Sequence, residues 1–395
     1  MMQRSELLFI QPLLGPDDAW AGYHVEFPPG CEASARILSL CCNHSTLPEF
    51  DQRHAWFIPA LPEASHNAAA SGRMINVFPA NAARASDNGA LAEFEERLRR
   101  SGCKLAAVTR SEDKLPATGT WDYLLIGASH ARTLPPYSLL GLSSRTTIVI
   151  TGVHSYADRS WALANACSLS SGEFLLARHL PGKKADTTRM KLLELLSLIA
   201  EDAETGALEA IFRQEAKLSY SLLRLVNSAA IAPRTPITCF AQAINLLGRR
   251  QLQRWLQLLV YADPNNGQHP NPLLQKAAAR GRLMEILSSQ LSAESGIEYM
   301  SDAAFMVGSF SLLDVLLNMP IGEILQQLSL PEPVRTALLA HQGQLGELLK
   351  LINSAEARDF ASAERILASQ PFDGAAYVEA QLQALSWAAK INPMA

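Results

Sequence analysis

The chain changes its pattern once, near residue 180, and that change limits what it can fold into. Before it, apolar runs of strand length at residues 7–10, 55–58, 74–78, 104–108, 123–126 and 147–150 alternate with Gly, Pro, Asn and Asp punctuation. Between two of these runs, residues 88–102 read as a helix with Leu91, Ala92, Phe94 and Leu98 on one face, ended by Gly102. Its Glu93/Arg97, Glu95/Arg99 and Glu96/Arg100 pairs, four residues apart, mark a solvated face. Helix, glycine and buried strand in succession are the β/α alternation of a parallel sheet or barrel. The first half is therefore expected to be α/β.

From Asp186 onward the period is helical. Met190, Leu193 and Ile199 come after the cap candidates Asp186 and Thr187. Leu218, Leu222, Leu225 and Val226 form a second stripe, and Leu252, Trp255, Leu256, Leu259 and Val260 a third. Pro233 and Pro236 break the chain, Thr238 caps the next helix and Gly248 ends it. Asp302 is the expected cap of a helix through Phe305, Val307 and Phe310, and Pro320, Pro331 and Pro333 interrupt the chain beyond that helix. This half reads as an all-α bundle. Pro181-Gly182-Lys183-Lys184 joins the two patterns, which divides the chain into 1–180, a linker at 181–186, and 187–395.

Charge removes one class of function. Lys and Arg total 34 against 38 Asp and Glu, a formal charge of -4 spread evenly over both halves, where a phosphate-binding domain concentrates positive charge. No specific nucleic acid is expected as partner. No apolar run approaches the roughly 20 residues of a membrane span, and Arg4 and Glu6 precede Pro12, so the expectation is a cytoplasmic protein without a membrane partner. Cys31, Cys41, Cys42, Cys103, Cys167 and Cys239 show no CxxC spacing. Cys31, Cys41, Cys42 and His44 are conceivable metal ligands, but the paired spacing of a zinc knuckle is missing and the cysteines read as buried or surface thiols. The histidines at 24, 44, 54, 66, 130, 154 and 179 read as scattered singletons, without i, i+4 ligand spacing. His269 reads as a loop residue and His341 as an exposed residue or helix-end cation. There is no GxSxG, P-loop or GxGxxG, and the serines at 168–172 read as a loop.

Two blocks carry a family resemblance. Ala216-Lys217-Leu218-Ser219-Tyr220-Ser221-Leu222-Leu223-Arg224-Leu225-Val226-Asn227-Ser228-Ala229, continued by residues 237–248 and 252–261 with Trp255, and the apolar block 304–319, together resemble the HDOD family, non-catalytic relatives of HD-type phosphohydrolases. In that architecture the domain often comes after an EAL-type domain, the barrel of cyclic-di-GMP phosphodiesterases. Residues 11–26, 89–108, 121–127 and 148–155 resemble that barrel in order and spacing. The implied fold is a TIM-like, degenerate EAL α/β barrel preceding an HD-like helical bundle.

The resemblance also implies what the barrel has lost. His24 stands for the signature glutamate, Asn76 for the next acidic ligand, Val108 and Thr109 for the aspartate pair, Leu125 for the lysine and Thr151 for the late glutamate. Two-cation phosphodiester hydrolysis needs hard oxygen ligands, which valine and leucine do not provide. After residue 185 only His269 and His341 remain, and neither precedes an aspartate. The implied protein is not an enzyme and needs no cofactor. It is an adaptor that binds other signalling proteins, with Arg224, Asn227, Ser228, Trp255, Arg249 and Arg250 as partner-binding or supporting residues. Arg249, Arg250 and Arg254 form a basic cluster that reads an acidic partner or simply faces solvent. The alternative is a sensor that binds cyclic-di-GMP or another nucleotide through Arg110 and Arg132 without hydrolysing it. Homo-oligomerisation is another use open to the same surfaces.

Overall fold

In a computed structural model, the residues described are 4–28, 32–64, 72–80, 89–109, 113–135, 137–177, 197, 222–223, 226–227, 233–234, 236–238, 240–261, 270–292, 297, 299–328 and 330–391. The expected linker at 181–186 and, apart from residue 197, the helix expected over 186–199 lie outside them. The chain divides into two compact units, residues 1–177 with 373–382, and residues 178–372 with 383–395.

Among the described residues the first unit has ten strands: β1 (Arg4–Ser5), β2 (Phe9–Leu14), β3 (Trp20–Glu26), β4 (Glu32–Ala33), β5 (Ala55–Pro59), β6 (Met74–Pro79), β7 (Leu105–Thr109), β8 (Tyr123–Gly127), β9 (Thr147–Thr151) and β10 (Leu169–Ser171). β1 and β4 form a short parallel pair. The other eight close into a barrel in the order β10-β2-β3-β5-β6-β7-β8-β9, and six of the predicted runs fall on β2 and β5 to β9. β2 runs antiparallel to both neighbours; every other pairing is parallel. The serine stretch read as a loop is β10, the strand that closes the barrel. Three residues are too short a run to show a period, and pairing with β2 and β9 supplies what propensity does not.

Helices α1 (Ala35–Asn43), α2 (Gly89–Arg100), α3 (Ala128–Thr133), α4 (Ser138–Ser143) and α5 (Tyr156–Ala164) lie between the strands. Ser34 caps α1 and Ser155 caps α5, each accepting from a backbone N–H three residues on. α2 ends before Gly102, whose φ of 69° suits a residue without Cβ. Glu95 and Glu96 meet Arg99 and Arg100 as expected, but Arg97 lies over the Phe94 ring, and Ala92 is exposed, not part of the buried face.

The seam between β10 and β2 is held by Arg159 of α5. This guanidinium is 4% exposed and donates to Ser170 Oγ (2.9 Å), to the Gly15 carbonyl and to the Asp18 carboxylate (2.8 Å). Gly15 and Asp18 belong to the β2–β3 turn, where Asp18 takes a φ of 63°. Gln381 extends the polar satisfaction of β2, donating to Leu8 O (2.7 Å) and accepting from Ile10 N (3.1 Å), and a Cβ on Gly374 would collide with the Glu6 carbonyl. These contacts explain why residues 373–382 cluster with the barrel.

The second unit contains α6 (Phe240–Leu259), α7 (Pro272–Ser288), α8 (Met300–Phe310), α9 (Leu313–Leu317), α10 (Ile321–Leu325), α11 (Glu332–Ala340), α12 (Gly343–Glu356), α13 (Phe360–Ala368) and the end of α14 (Gly374–Ala389). α6 is broken where expected, at Gly248 (φ 71°, ψ 162°). α7 and α8 approach so closely that a Cβ on Gly308 would stand 2.6 Å from Arg280 O and 2.8 Å from the Gly281 Cα. Asp302 does not cap α8: the helix begins at Met300, and the Asp302 carboxylate instead receives Arg254 (2.6 Å). The 18-residue stretch Met300–Leu317 is long and apolar enough to cross a membrane, contrary to the expectation that no run comes near; 61% of it is buried within the protein. His341, expected to be exposed or a helix-end cation, is half-buried at a helix end. It closes α11 in the left-handed conformation beside Asn353, and desolvation, with Lys350 nearby, lowers its pKa.

Beneath α7, Arg280 donates to both Glu356 oxygens (3.1 and 2.8 Å), and Lys276 lies 2.7 Å from the same carboxylate. Burial alone would raise the Glu356 pKa, but Arg280 and Lys276 outweigh it and hold the group at about 2, below its ordinary 4.5. A depressed carboxylate contributes its stability above the unfolded pKa and loses it as pH falls. Acid unfolding monitored by far-ultraviolet circular dichroism should therefore show wild type losing stability between pH 4.5 and 2, while Glu356→Gln flattens that limb by on the order of 3 kcal/mol. Gly308→Ala should destabilise the chain by about 1–3 kcal/mol in urea unfolding, because backbone atoms must move to admit the methyl group.

Candidate functional site

The barrel interior is where the sequence places the eroded chemistry, and strand alternation decides which residues reach it. Leu13, Phe57, Ile75, Ala106, Leu125 and Val149, from six strands, form one buried cluster with Ala55, Val77, Val108, Tyr123 and Leu169 against it. Phe57 on β5 and Tyr123 on β8 are three strands apart, and their rings meet edge to face at 5.0 Å, so that contact crosses the interior. On the opposite face of the sheet, Tyr23 stacks on Trp56 at 4.4 Å, and the Phe50 ring meets both edgewise. Burial raises the Tyr23 hydroxyl pKa far above its ordinary value, which keeps it neutral.

This alternation sorts the six positions. His24 pairs in register with Gln11 and Phe57 and faces inward. Val108 and Leu125 are part of the interior cluster, and Thr151 lies two residues beyond Val149 on the same face. Asn76 and Thr109 are displaced. Asn76 is paired with Ile58, one residue out of step with Phe57 and Ile75, and Thr109 with Ile126, one out of step with Leu125. Both therefore lie on the outer face, because a one-residue shift in a strand reverses the face. Asn76 is 3% exposed, and its Oδ1 has no hydrogen-bond partner among the described residues. A carboxylate outside the six expected positions also reaches the interior: Glu26. It sits on the inward face at the carboxyl end of β3, with Oε1 3.5 Å from His24 Nδ1. Among the described residues no group of three His, Cys, Asp or Glu is placed to hold a metal ion.

In the helical unit, Asn227 is a structural residue. Its Nδ2 donates to Leu223 O (2.7 Å) and Ile237 O (2.8 Å), and its Oδ1 accepts from Ile237 N (2.7 Å), which clips two backbone segments ten residues apart. Trp255 is 1% exposed, its ring 5.4 Å from Trp387, so it cannot meet a partner and supports the core instead. A large aromatic on an apolar stripe is drawn inward by the area it buries. Arg224, Ser228 and Arg110, and the side chain of Arg249, lie outside the described residues. Arg132 is engaged by Asp158 (3.1 Å) and lies over Trp161 at 5.6 Å.

The remaining arginines of the cluster differ from each other. Arg254 is 19% exposed and bridges Glu285 on α7 and Asp302 on α8, each at 2.6 Å. Arg282 holds the other Glu285 oxygen at 2.6 Å. Arg250 is 58% exposed, lies 3.9 Å from Asp302, and places its guanidinium carbon 3.4 Å from the centroid of the Tyr299 ring.

The helical half matches a known family. Residues 185–308 carry an HDOD domain. Of its described helices, α6 and α7 lie wholly within these limits and α8 nearly so. The chain is similar to the uncharacterized protein YuxH of Bacillus subtilis (strain 168), 30% identical over 239 residues, which is 60% of this chain and 57% of that one. It is also similar to the cyclic di-GMP phosphodiesterase CdgJ of Vibrio cholerae, 30% identical over 184 residues, 47% of this chain and 41% of that one. The chain thus spans about half the length of the curated relatives it matches. A solved structure of a phosphohydrolase-like protein from Shewanella amazonensis SB2B covers 55% of this chain and 95% of its own at 15% identity with a TM-score of 0.36, a likeness too weak to bear on fold or function.

The Asn227 clip is open to a direct check. Asn227→Ala leaves the Ile237 amide and carbonyl without their partners and should lower stability by about 1–3 kcal/mol in urea unfolding, whereas Arg250→Ala, at an exposed position, should change it by under about 0.5 kcal/mol.

Proposed function

We propose that the chain is a non-catalytic signal-transduction adaptor of the cyclic-di-GMP signalling family, a degenerate EAL-type barrel joined to an HDOD domain and acting in the cytoplasm through protein contacts. The observation that carries this reading is the chemistry of the inward positions. His24, Val108, Leu125 and Thr151 stand where the resemblance implies metal- and phosphate-handling side chains, and the first is an imidazole, two are aliphatic and one is a hydroxyl. Divalent cations of the magnesium type take oxygen ligands, and activation of a bridging water requires two cations held close together. Glu26 alone does not replace a set of carboxylates.

The family link supports the signalling context. An HDOD domain and a relative named as a cyclic di-GMP phosphodiesterase point to the same regulatory setting, and the barrel's altered positions favour relay over hydrolysis. The sensor reading would use Arg110 and Arg132; Arg132 is already engaged by Asp158 and Trp161.

Two measurements on the purified full chain test the proposal. Incubation with cyclic-di-GMP and Mn²⁺ or Mg²⁺ should give no linear dinucleotide; turnover abolished by a chelator would sink the non-catalytic reading. Isothermal calorimetry should give no heat with high-micromolar cyclic-di-GMP, and saturable binding without turnover would replace the adaptor by the sensor.

A further inference from the structure

Helix α14 is divided between the two units although the helix itself is unbroken. Its residues up to Leu382 cluster with the barrel, and those from Gln383 onward cluster with the second unit. The sequence explains why one helix can serve both. Of its 16 residues only Glu379 carries a charge, and a helix that is apolar nearly all round is enclosed by its surroundings. Tyr377, Val378 and Leu382 are buried in the first half and Ala384, Leu385 and Ala388 in the second, while Glu379 and Gln383 are exposed.

Each half is fastened differently. In the barrel unit the buried Gln381 side chain donates to Leu8 O (2.7 Å) and accepts from Ile10 N (3.1 Å), and Gly374 leaves room for the Glu6 carbonyl. In the helical unit the Trp387 ring lies 5.4 Å from Trp255 of α6 and meets Phe305 of α8 edge to face at 6.0 Å, and Gln275 of α7 donates to Ala388 O (3.5 Å). Between these two sets of contacts the helix has no hinge. No Gly or Pro stands between Ala375 and Ala389, and no residue there has a positive φ. About four hydrogen bonds of the i→i−4 ladder span the division at 382–383. Moving one half without the other would break them among buried backbone groups that have no other partner.

We propose that α14 is the coupling element of the chain, one continuous helix shared by the two units, through which a change that loosens or tightens either unit alters the stability of the other. Loss of the Gln381 clip on β2 frees the first half of the helix, and the unbroken ladder passes that freedom to Trp387 and the core around Trp255. The effect runs equally in the other direction, because a coupling free energy is reciprocal. The coupling serves an adaptor and a sensor alike, since it engages the backbone of β2 and not the inward side chains of the barrel.

Hydrogen–deuterium exchange of the full chain, read by mass spectrometry on peptides covering residues 6–14 and 252–261, tests it. Gln381→Met, which leaves Leu8 O and Ile10 N without their partner, should speed exchange about tenfold in 252–261 as well as in 6–14. Trp387→Ala should speed exchange in 6–14 as well as in 252–261, and Trp387→Phe, which keeps a ring against Trp255, should do so to a smaller extent. Two controls perturb each unit away from α14. Ser155→Ala removes the cap of α5 and Asn227→Ala opens the clip to Ile237; each should speed exchange in its own unit and leave the peptide of the other unit at the wild-type rate. The proposal is overturned if Gln381→Met leaves 252–261 unchanged, if Trp387→Ala leaves 6–14 unchanged, or if the controls cross between units as strongly as the α14 variants. Chelator-sensitive turnover of cyclic-di-GMP would remove the adaptor reading without altering this exchange pattern, and loss of the cross-unit effect would leave a non-catalytic barrel in place.

Discussion

Closure of the barrel across the β10–β2 seam is the constraint on which the first unit depends. A closed sheet has no edge strand to protect, but it must join its first and last strands. Here the last strand has three residues and the first runs against both neighbours, so few ladder bonds span the seam. Arg159 supplies the rest. It reaches the β2–β3 turn and β10 from a helix between β9 and β10, and it satisfies its buried charge with Asp18, the Gly15 carbonyl and Ser170. A guanidinium buried to this extent is tolerable only because nearly every donor has a partner.

Once the barrel is closed, its interior must be filled, and the side chains that fill it bear on chemistry. Aromatic and branched side chains from six strands meet there, and the Phe57–Tyr123 contact spans it. Such packing contributes stability through apolar area removed from water, roughly 25 cal/mol per Å². The same packing leaves the inward positions Ala106 and Val108 of β7 and Leu125 of β8 without ligand atoms. On β3, by contrast, His24 and Glu26 bring two titratable groups together on that face, 3.5 Å apart.

The helical unit divides its charged groups by burial. Glu356 with Arg280 and Lys276, and Glu285 with Arg254 and Arg282, join helices that also approach closely at Gly281 and Gly308. Arg250 stays outside those buried pairs, resting on an aromatic ring at the surface. The contrast between Arg254 and Arg250, one helical turn apart, is a contrast between a group that holds helices together and a group that rests on an exposed ring.

Much of this was legible in the sequence, and the exceptions share a cause. Runs of apolar residues located six barrel strands, Gly102 and Gly248 marked helix breaks, and the change of period near residue 180 separated α/β from all-α, because these features depend on local backbone preference and on periodicity. The strand β10, the partners of Trp255 and Asn227, the outward turn of Asn76 and Thr109, and the membership of residues 373–382 in the barrel unit were not legible there. Each depends on a partner distant in the chain: a neighbouring strand that sets register, a second tryptophan, a backbone segment across a turn, or a strand end completed by Gln381. The sequence by itself determined which apolar runs become six of the barrel strands and where the period turns helical. Only the tertiary structure decided which of those residues face one another, since a single-residue change of register reverses a side chain's face without altering any local propensity.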